Sequence, residues 1–188
     1  PLKSLQEVID SVGRGAINLI KGVVPKHTTR ENINKVYKIY QDHYDKNSNH
    51  KTGPYEGIIP LLKTLKEKNF RLAVVSNKHK YLVKKLNEDT FKGYFDYSMG
   101  EEKGIAIKPE PDMLYMALEQ LGLEKDEVLF VGDSDVDMIT AQNAKITSVG
   151  VTWGFRSKKV LIKHKAAFII DQPDQLLDII KEVNAKWQ

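Results

Sequence analysis

The sequence predicts an α/β fold with a doubly wound parallel sheet, and two observations lead to this prediction. From Pro54 onward, short apolar segments alternate with amphipathic helical segments, which is the pattern of βαβ units. The apolar segment 128–131 runs into Gly132 without polar interruption, as a strand buried on both faces does. Acidic residues follow at once in the segment 133–137, so we expect them at the carboxyl edge of the sheet, where open α/β sheets bind their ligands.

The individual elements follow from the same alternation. Strands are predicted at 71–75, 94–98, 128–132, 146–151 and 167–170. Helices are predicted at 58–68, 79–89, 112–122, 136–144 and 173–184. This order favours a parallel sheet with helices on both of its faces.

Residues 1–52 are predicted to form a separate helical unit. Their apolar residues keep a roughly helical spacing that is interrupted at Gly13-Arg14-Gly15. Ser4 and Glu7 have the spacing of a capping box at the start of the first helix. The segment 45–54 is polar and ends in Gly and Pro, which predicts a linker to the α/β unit.

Composition narrows the class of protein. The apolar fraction of 41% is that of an ordinary globular domain, and the absence of cysteine excludes disulfides and thiol chemistry. No apolar run approaches the roughly 20 residues that span a membrane. A cytoplasmic protein without a membrane partner is therefore expected. The net charge of +4 comes from scattered lysines, so no nucleic-acid partner is expected, and nothing in the sequence indicates an oligomeric state.

Polar side chains at two predicted strand ends and in one loop suit one phosphate group and one Mg²⁺ ion. Ser76 and Asn77 end one strand, Lys108 lies in a proline-rich loop, and Asp133 and Asp137 end another strand. Hydroxyl and N–H groups donate to phosphate oxygens, an ammonium neutralises charge, and carboxylates are Mg²⁺ ligands. Taken singly, each has a plainer interpretation, because acids also cap helices, Ser-Asn also forms turns, and most lysines are surface residues.

These motifs resemble those of the haloacid dehalogenase-like hydrolases, and most closely those of the phosphoglycolate phosphatase group. The segment 75–77 is similar to the second motif of that superfamily, 108–111 to its third, and 132–144 to its fourth. The segment 149–156 is also typical of the phosphoglycolate phosphatase group. The resemblance implies a Rossmann-like core that carries a small helical cap.

The resemblance also implies a role for each candidate residue. Ser76, with Asn77 beside it, binds the transferring phosphoryl group, and Lys108 steadies its charge. Asp133 ligates Mg²⁺, and Asp137 supports the site from behind it.

The same resemblance assigns residues 1–52 to most of the helical cap and residues 53–188 to the core. The interruption at residues 13–15 then lies where a cap presents a loop to substrate, so that Arg14 is placed to meet a carboxylate or phosphate. The alternative is an exposed arginine between two helix-breaking glycines.

One motif of the superfamily is absent. Its first motif is an Asp-x-Asp-x-Thr stretch on the central strand of the sheet, whose first Asp attacks phosphorus, and this sequence has no such stretch. Strands lie about 4.8 Å apart, so the loss of a central strand leaves its neighbours roughly 10 Å apart. Each buried N–H or C=O group that loses its partner costs about 1–3 kcal/mol. We therefore expect an interrupted sheet, whose gap is filled by a segment upstream of this chain or by a strand from elsewhere.

The motifs together favour a Mg²⁺-dependent phosphatase that acts on a small phosphorylated metabolite, with 2-phosphoglycolate as the first expectation. Its aspartyl-phosphate would form on an Asp upstream of this chain. Two alternatives stay open. One is a related phosphatase acting on a sugar phosphate or on pyrophosphate, and the other is an inactive fragment or phosphate-binding module.

Overall fold

The computed structural model describes residues 3–47 and 52–185 of the 188-residue chain, and it begins with three helices. They are α1 (Leu5–Ser11), α2 (Ala16–Val23) and α3 (Arg30–Asn47), and we call them the cap helices because the resemblance assigns residues 1–52 to a cap. The predicted capping box is present at the start of α1, where the Glu7 N–H donates to Ser4 Oγ (3.2 Å) and the Ser4 N–H donates to Glu7 Oε2 (2.8 Å). The middle of the predicted linker, 48–51, lies outside the described residues, and the domain boundary after residue 52 stays a prediction.

The rest of the chain alternates helices and strands, as predicted. In chain order these elements are α4 (Ile58–Glu67), β1 (Ala73–His79), α5 (Lys80–Asp89), β2 (Tyr97–Glu101), α6 (Asp112–Leu121), β3 (Leu129–Gly132), α7 (Asp135–Ala144), β4 (Thr147–Val151), α8 (Lys158–Lys163), β5 (Phe168–Ile170) and α9 (Leu176–Ala185). All five predicted strands are present. The sequence does not predict α8, because six residues are too few to establish a helical periodicity.

The strands of the described residues form two separate parallel ladders. One ladder pairs β1 with β2, and the other has the order β3-β4-β5. No backbone ladder joins β1 to β3 within this part of the chain. The prediction of an interrupted α/β sheet is therefore confirmed.

The open edges of β1 and β3 flank a common gap. Val75 of β1 and Phe130 of β3 pack against the same cluster of buried residues, which is built on Leu114 and Leu118 of α6. The helix thus spans the two ladders from one side. Val131, in the middle of β3, is 41% exposed although it lies in an apolar strand. No buried neighbour among the described residues covers the side chain of Val131 on its face of the ladder, in contrast to the strand buried on both faces that the sequence predicts.

Helices cover both faces of the three-stranded ladder. Val149 and Val151 of β4 pack against Leu61 and Leu65 of α4. The intervening Gly150 faces the other way, because a Cβ built on it would contact Leu161 of α8 at 3.1 Å. This is the doubly wound arrangement that the sequence predicts.

No helix in the described ranges is long and apolar enough to cross a membrane.

Asp96 ties the loop before β2 to α4 and to the chain entering β1. Its Oδ1 accepts from Lys66 Nζ (2.7 Å) and its Oδ2 accepts from the Leu72 N–H (2.8 Å). Burial opposes ionisation, but these two hydrogen bonds and the charges of Lys66 and Arg71 outweigh it, so the pKa of Asp96 lies below its ordinary value. The carboxylate form therefore stabilises the fold.

We expect Asp96→Asn to lower the free energy of unfolding by about 1–2 kcal/mol at pH 7, because the hydrogen bonds lose their charge. The stabilisation is complete above the ordinary Asp pKa of about 3.9 and is lost as the pH falls through the lowered pKa of the folded state. Urea unfolding of both proteins between neutral and acid pH measures this. A difference that persists unchanged at the acid end would contradict the assignment.

Candidate active site

A cavity of about 340 Å³ lies between the cap helices and the carboxyl ends of β1 and β3. The predicted residues that line it are Ser76, Asn77, Lys108, Asp133 and Asp137. The residues of its cap side include Gly13, Gly15, Tyr40 and Tyr44. Three segments that are far apart in the sequence thus bring a hydroxyl, an ammonium and two carboxylates to one space.

Asn77 holds the segments of the cavity together. Its Nδ2 donates to the carbonyl oxygens of Lys108 (2.8 Å) and Gly13 (2.9 Å), and its Oδ1 accepts from the Lys108 N–H (2.9 Å). Both amide N–H groups are used in these contacts. Ser76 is the freer neighbour, because its Oγ accepts only a 3.2 Å contact from the Lys78 N–H within the described residues. The hydroxyl proton of Ser76 is therefore available to a ligand.

Lys108 and Asp137 form a buried ion pair. The Lys108 Nζ lies 2.7 Å from Asp137 Oδ1, and the two side chains are only 12% and 7% exposed. The other oxygen of Asp137 accepts from Ser134 Oγ (2.6 Å) and from the N–H groups of Asp133 and Ser134. Burial raises the pKa of Asp137, but the Lys108 ammonium and these hydrogen bonds outweigh burial and hold it below the ordinary value. Asp137 is thus a charged residue whose oxygens are already occupied.

The pKa of Asp133 is shifted in the opposite direction. Burial raises its pKa above the ordinary value, and the nearby charge of Asp137 adds to the effect. One of its oxygens, Oδ2, accepts from the Phe155 N–H (2.7 Å), and no donor of the described residues contacts Oδ1. A cation at Oδ1 would relieve this cost.

The donor set therefore fits Mg²⁺ in part. No group of three or more acidic or histidine side chains that could hold a metal is present among the residues described. Mg²⁺ usually takes one or two protein carboxylates and fills its other positions with water and substrate phosphate. Asp133 is suited to be one such ligand, whereas the engaged oxygens of Asp137 suit a supporting position.

Arg14 does not line the cavity. Its guanidinium Nη2 lies 2.9 Å from Asp135 Oδ2, and the side chain is 52% exposed. The predicted role of Arg14 in substrate binding stays a prediction that this geometry does not favour.

Arg156 is a residue whose role the sequence does not reveal. Its Nε lies 3.1 Å from Asp135 Oδ1, and its remaining nitrogens donate to carbonyl oxygens at the end of α1. These acceptors are Ile9, Asp10 and Val12. The two arginines outweigh burial and keep the pKa of Asp135 below its ordinary value. Arg156 thereby fixes the cap to the loop that carries Asp133.

A second contact between cap and core lies where β1 ends. The Nε2 of His79 lies 3.1 Å from Tyr37 Oη and 3.0 Å from Gln41 Nε2, both on α3. Tyr44 accepts a hydrogen bond from Lys78, and Tyr81 donates one to Asp45. The only sequence signal for this contact is the polar extension of the strand beyond residue 75.

We expect Lys108→Met to destabilise the protein by about 3–5 kcal/mol at pH 7, because it leaves the Asp137 carboxylate buried without its partner. The pKa of Asp137 would rise in the variant, so the difference from the wild type would shrink as the pH falls through that raised pKa, where protonation removes the unpaired charge. It would shrink further as the pH falls through the lowered pKa of the wild type, where the ion pair itself is lost.

Urea unfolding at pH 7 and at a series of acid pH values measures this effect. The matched control is Lys181→Met, which breaks an exposed pair with Asp178 and should cost less than about 1 kcal/mol. Equal losses in the two variants would mean that the buried pair is not a special feature of the site.

Comparison with known proteins shows which family this chain resembles in sequence and structure. The model of the haloacid dehalogenase-like hydrolase family matches residues 3–151. The phosphoglycolate phosphatase of Aquifex aeolicus is 31% identical over 170 residues, which cover 90% of this chain and 76% of that protein. A protein of Caldanaerobacter subterraneus, provisionally named the pyrophosphatase PpaX, is 37% identical over 145 residues, and the match covers 77% of this chain but only 66% of that relative.

A solved structure shares the fold. It is that of a protein from Lactobacillus delbrueckii, provisionally named a phosphoglycolate phosphatase, with a TM-score of 0.88 and 32% identity over 95% of this chain and 83% of that one. The fold, the motifs and the family match agree. The chain belongs to the haloacid dehalogenase-like hydrolase family.

Proposed function

We propose that this chain forms the cap and most of the core of a Mg²⁺-dependent phosphatase that acts on a small phosphomonoester, with 2-phosphoglycolate as the first candidate. The observation that carries the proposal is the convergence of Ser76, Lys108 and Asp133 on one cavity. The names of the matched relatives, phosphoglycolate phosphatase and pyrophosphatase, support a small phosphorylated substrate.

Each residue has a distinct task in this proposal. The Ser76 hydroxyl donates to an oxygen of the transferring phosphoryl group. The Lys108 ammonium, held by Asp137, neutralises charge that develops on the phosphoryl oxygens. Asp133 would hold the Mg²⁺ ion, which when bound supplies further positive charge to the phosphate.

The attacking carboxylate would enter on a strand that fills the gap between β1 and β3. A strand there would pair with both open edges and cover Val131. Its carboxyl end would reach the cavity beside Ser76 and Asp133, because parallel strands end at the same edge. The aspartyl-phosphate would form on that strand, and not on any residue of this chain.

A phosphate-binding module without turnover is the second candidate. The absence of an Asp-x-Asp-x-Thr stretch from the sequence favours it. The two candidates share the cavity and differ only in whether a nucleophile completes it.

The test uses the native gene product, whose intact mass is compared with the 21.4 kDa of this chain. Phosphate release is measured from 2-phosphoglycolate, pyrophosphate, a sugar phosphate and p-nitrophenyl phosphate, with Mg²⁺ and with EDTA. We expect release that requires Mg²⁺, and a fall in kcat/KM of about 10²-fold or more in Ser76→Ala, because one donor to the developing charge is lost.

The control is Ser157→Ala, since Ser157 lies outside the cavity and makes no side-chain capping bond. Phosphate binding without release from any substrate would overturn the phosphatase and leave the binding module.

We expect Gly154→Ala to weaken Mg²⁺ binding by about 10- to 100-fold, as the loss of support behind a metal ligand does. A Cβ built on Gly154 would overlap the Asp133 carboxylate, so the carboxylate must move. Calorimetric titration with Mg²⁺ measures the change, and circular dichroism checks that the fold is kept. The matched control is Gly53→Ala, whose Cβ meets nothing within 4 Å. Unchanged Mg²⁺ affinity in Gly154→Ala would argue against Asp133 as the ligand.

A further inference from the structure

We propose that Lys78 binds the second anionic group of the substrate, the carboxylate or phosphate at the end that is not transferred. The inference rests on the proposed function and narrows its substrate class. The preferred ligands would be phosphoesters or phosphoanhydrides that carry a second anion close to the first.

The pairing of the basic side chains around the cavity singles out Lys78. The Lys108 ammonium is engaged by Asp137, and the guanidinium groups of Arg14 and Arg156 are both engaged by Asp135. For Lys78, no carboxylate of the described ranges 3–47 and 52–185 lies within 4 Å of its ammonium, which contacts the neutral hydroxyl of Tyr44. A partly buried ammonium without a counter-charge is a favourable place for an anion.

Lys78 is also close enough to act on the same ligand as Ser76. The two residues are two positions apart at the end of β1, which places their Cα atoms about 6–7 Å apart. Both side chains line the cavity, and the Lys78 N–H donates to Ser76 Oγ (3.2 Å). A ligand whose phosphoryl group is held by Ser76 would therefore present a second anion to Lys78 only if few atoms separate its two anionic groups.

The position of the ammonium is fixed from the cap. Tyr44 accepts one of its three N–H donors and itself stacks on Tyr40, with ring centroids 5.4 Å apart. Two N–H donors of Lys78 are left to face a ligand. The cap helix α3 thus positions the Lys78 ammonium through Tyr44 but does not neutralise its charge.

Glu101 is a carboxylate of the same cavity that does not pair with Lys78. It lines the same cavity, and its Oε2 is buried with no partner among the described residues. A Cβ built on Gly15 would lie 3.9 Å from that oxygen, so Glu101 lies near the start of α2. Its backbone lies beside the end of β1, where Glu101 is the register partner of His79, but its carboxylate does not neutralise the Lys78 ammonium.

The experiment compares ligands with one and two anionic groups on the native gene product used for the turnover assay. Calorimetric titration measures the binding of 2-phosphoglycolate, pyrophosphate and ethyl phosphate to the wild type, Lys78→Met and Lys78→Arg. We expect Lys78→Met to weaken the two-anion ligands by tenfold or more, while ethyl phosphate changes by less than twofold. Lys78→Arg should restore part of the loss, because it keeps the charge.

Lys80→Met is the matched control, since Lys80 lies two residues further on and pairs with the exposed carboxylate of Glu102. It should leave all three affinities unchanged. Thermal unfolding of each variant verifies that the cap and core stay folded.

Two results would overturn the inference. Equal weakening of all three ligands in Lys78→Met would mean that Lys78 only joins the cap to the core through Tyr44. Unchanged binding of the two-anion ligands would mean that it takes no part in recognition. A wild type that binds none of the phosphates would instead refute the proposed function, and the inference with it, so the wild-type titration separates the two failures.

Discussion

The buried carboxylate of Asp137 is the constraint on which the rest of the site depends. It lies in the first turn of α7, where the Asp137 N–H donates to Ser134 Oγ and its side chain accepts from the Ser134 hydroxyl and N–H. Gly132 is required beside it, because a Cβ there would overlap the Asp137 side chain. With its negative charge neutralised by Lys108, this one residue fixes the turn after β3 and the loop that carries the lysine.

The three acidic residues of this turn differ in the direction of their pKa shifts. Asp137 and Asp135 are each compensated by basic side chains and have lowered pKa values, whereas Asp133 has a raised pKa and lacks a basic partner at hydrogen-bond distance among the described residues. One uncompensated carboxylate is thus followed by two that are compensated. Such a contrast between neighbouring groups of the same type is characteristic of functional sites. The contrast also identifies Asp133 as the carboxylate that lacks a positively charged partner at that distance within this part of the chain.

Much of this was accessible from the sequence, because the deciding signals are local. The run 128–132 followed by acids predicts a buried strand and its polar end, and the structure has a strand and a helix there. The rule that parallel strands end at one edge predicts that Ser76 and Asp133 meet, and the charge of Lys108 predicts that its loop joins them at a phosphate. All three line one cavity. β1 continues to His79, beyond the predicted apolar segment 71–75, because residues 76–79 are polar and the apolar pattern stops before the strand does.

Contacts between cap and core were not accessible in the same way. Arg156 binds carbonyl oxygens near residue 10, and backbone carbonyls carry no sequence signal. The partnership of His79 with Tyr37 and Gln41 joins residues about forty positions apart that belong to different units. The sequence does not reveal the acidic partner of Arg14 either, because Asp135 lies 121 positions away. Pairings of this range depend on the packed arrangement of the units, which periodicity and motif spacing do not specify.

The open edges of β1 and β3 have a consequence for how this chain behaves in solution. Natural edge strands are protected by charge, proline or bulges, and the four residues of β3 are Leu, Phe, Val and Gly, which provide none of these. This edge of β3 is a template for any extended segment, including one from a second molecule. We therefore expect molecules in which the gap stays empty to aggregate, whereas one strand that occupies the gap pairs with both open edges at once.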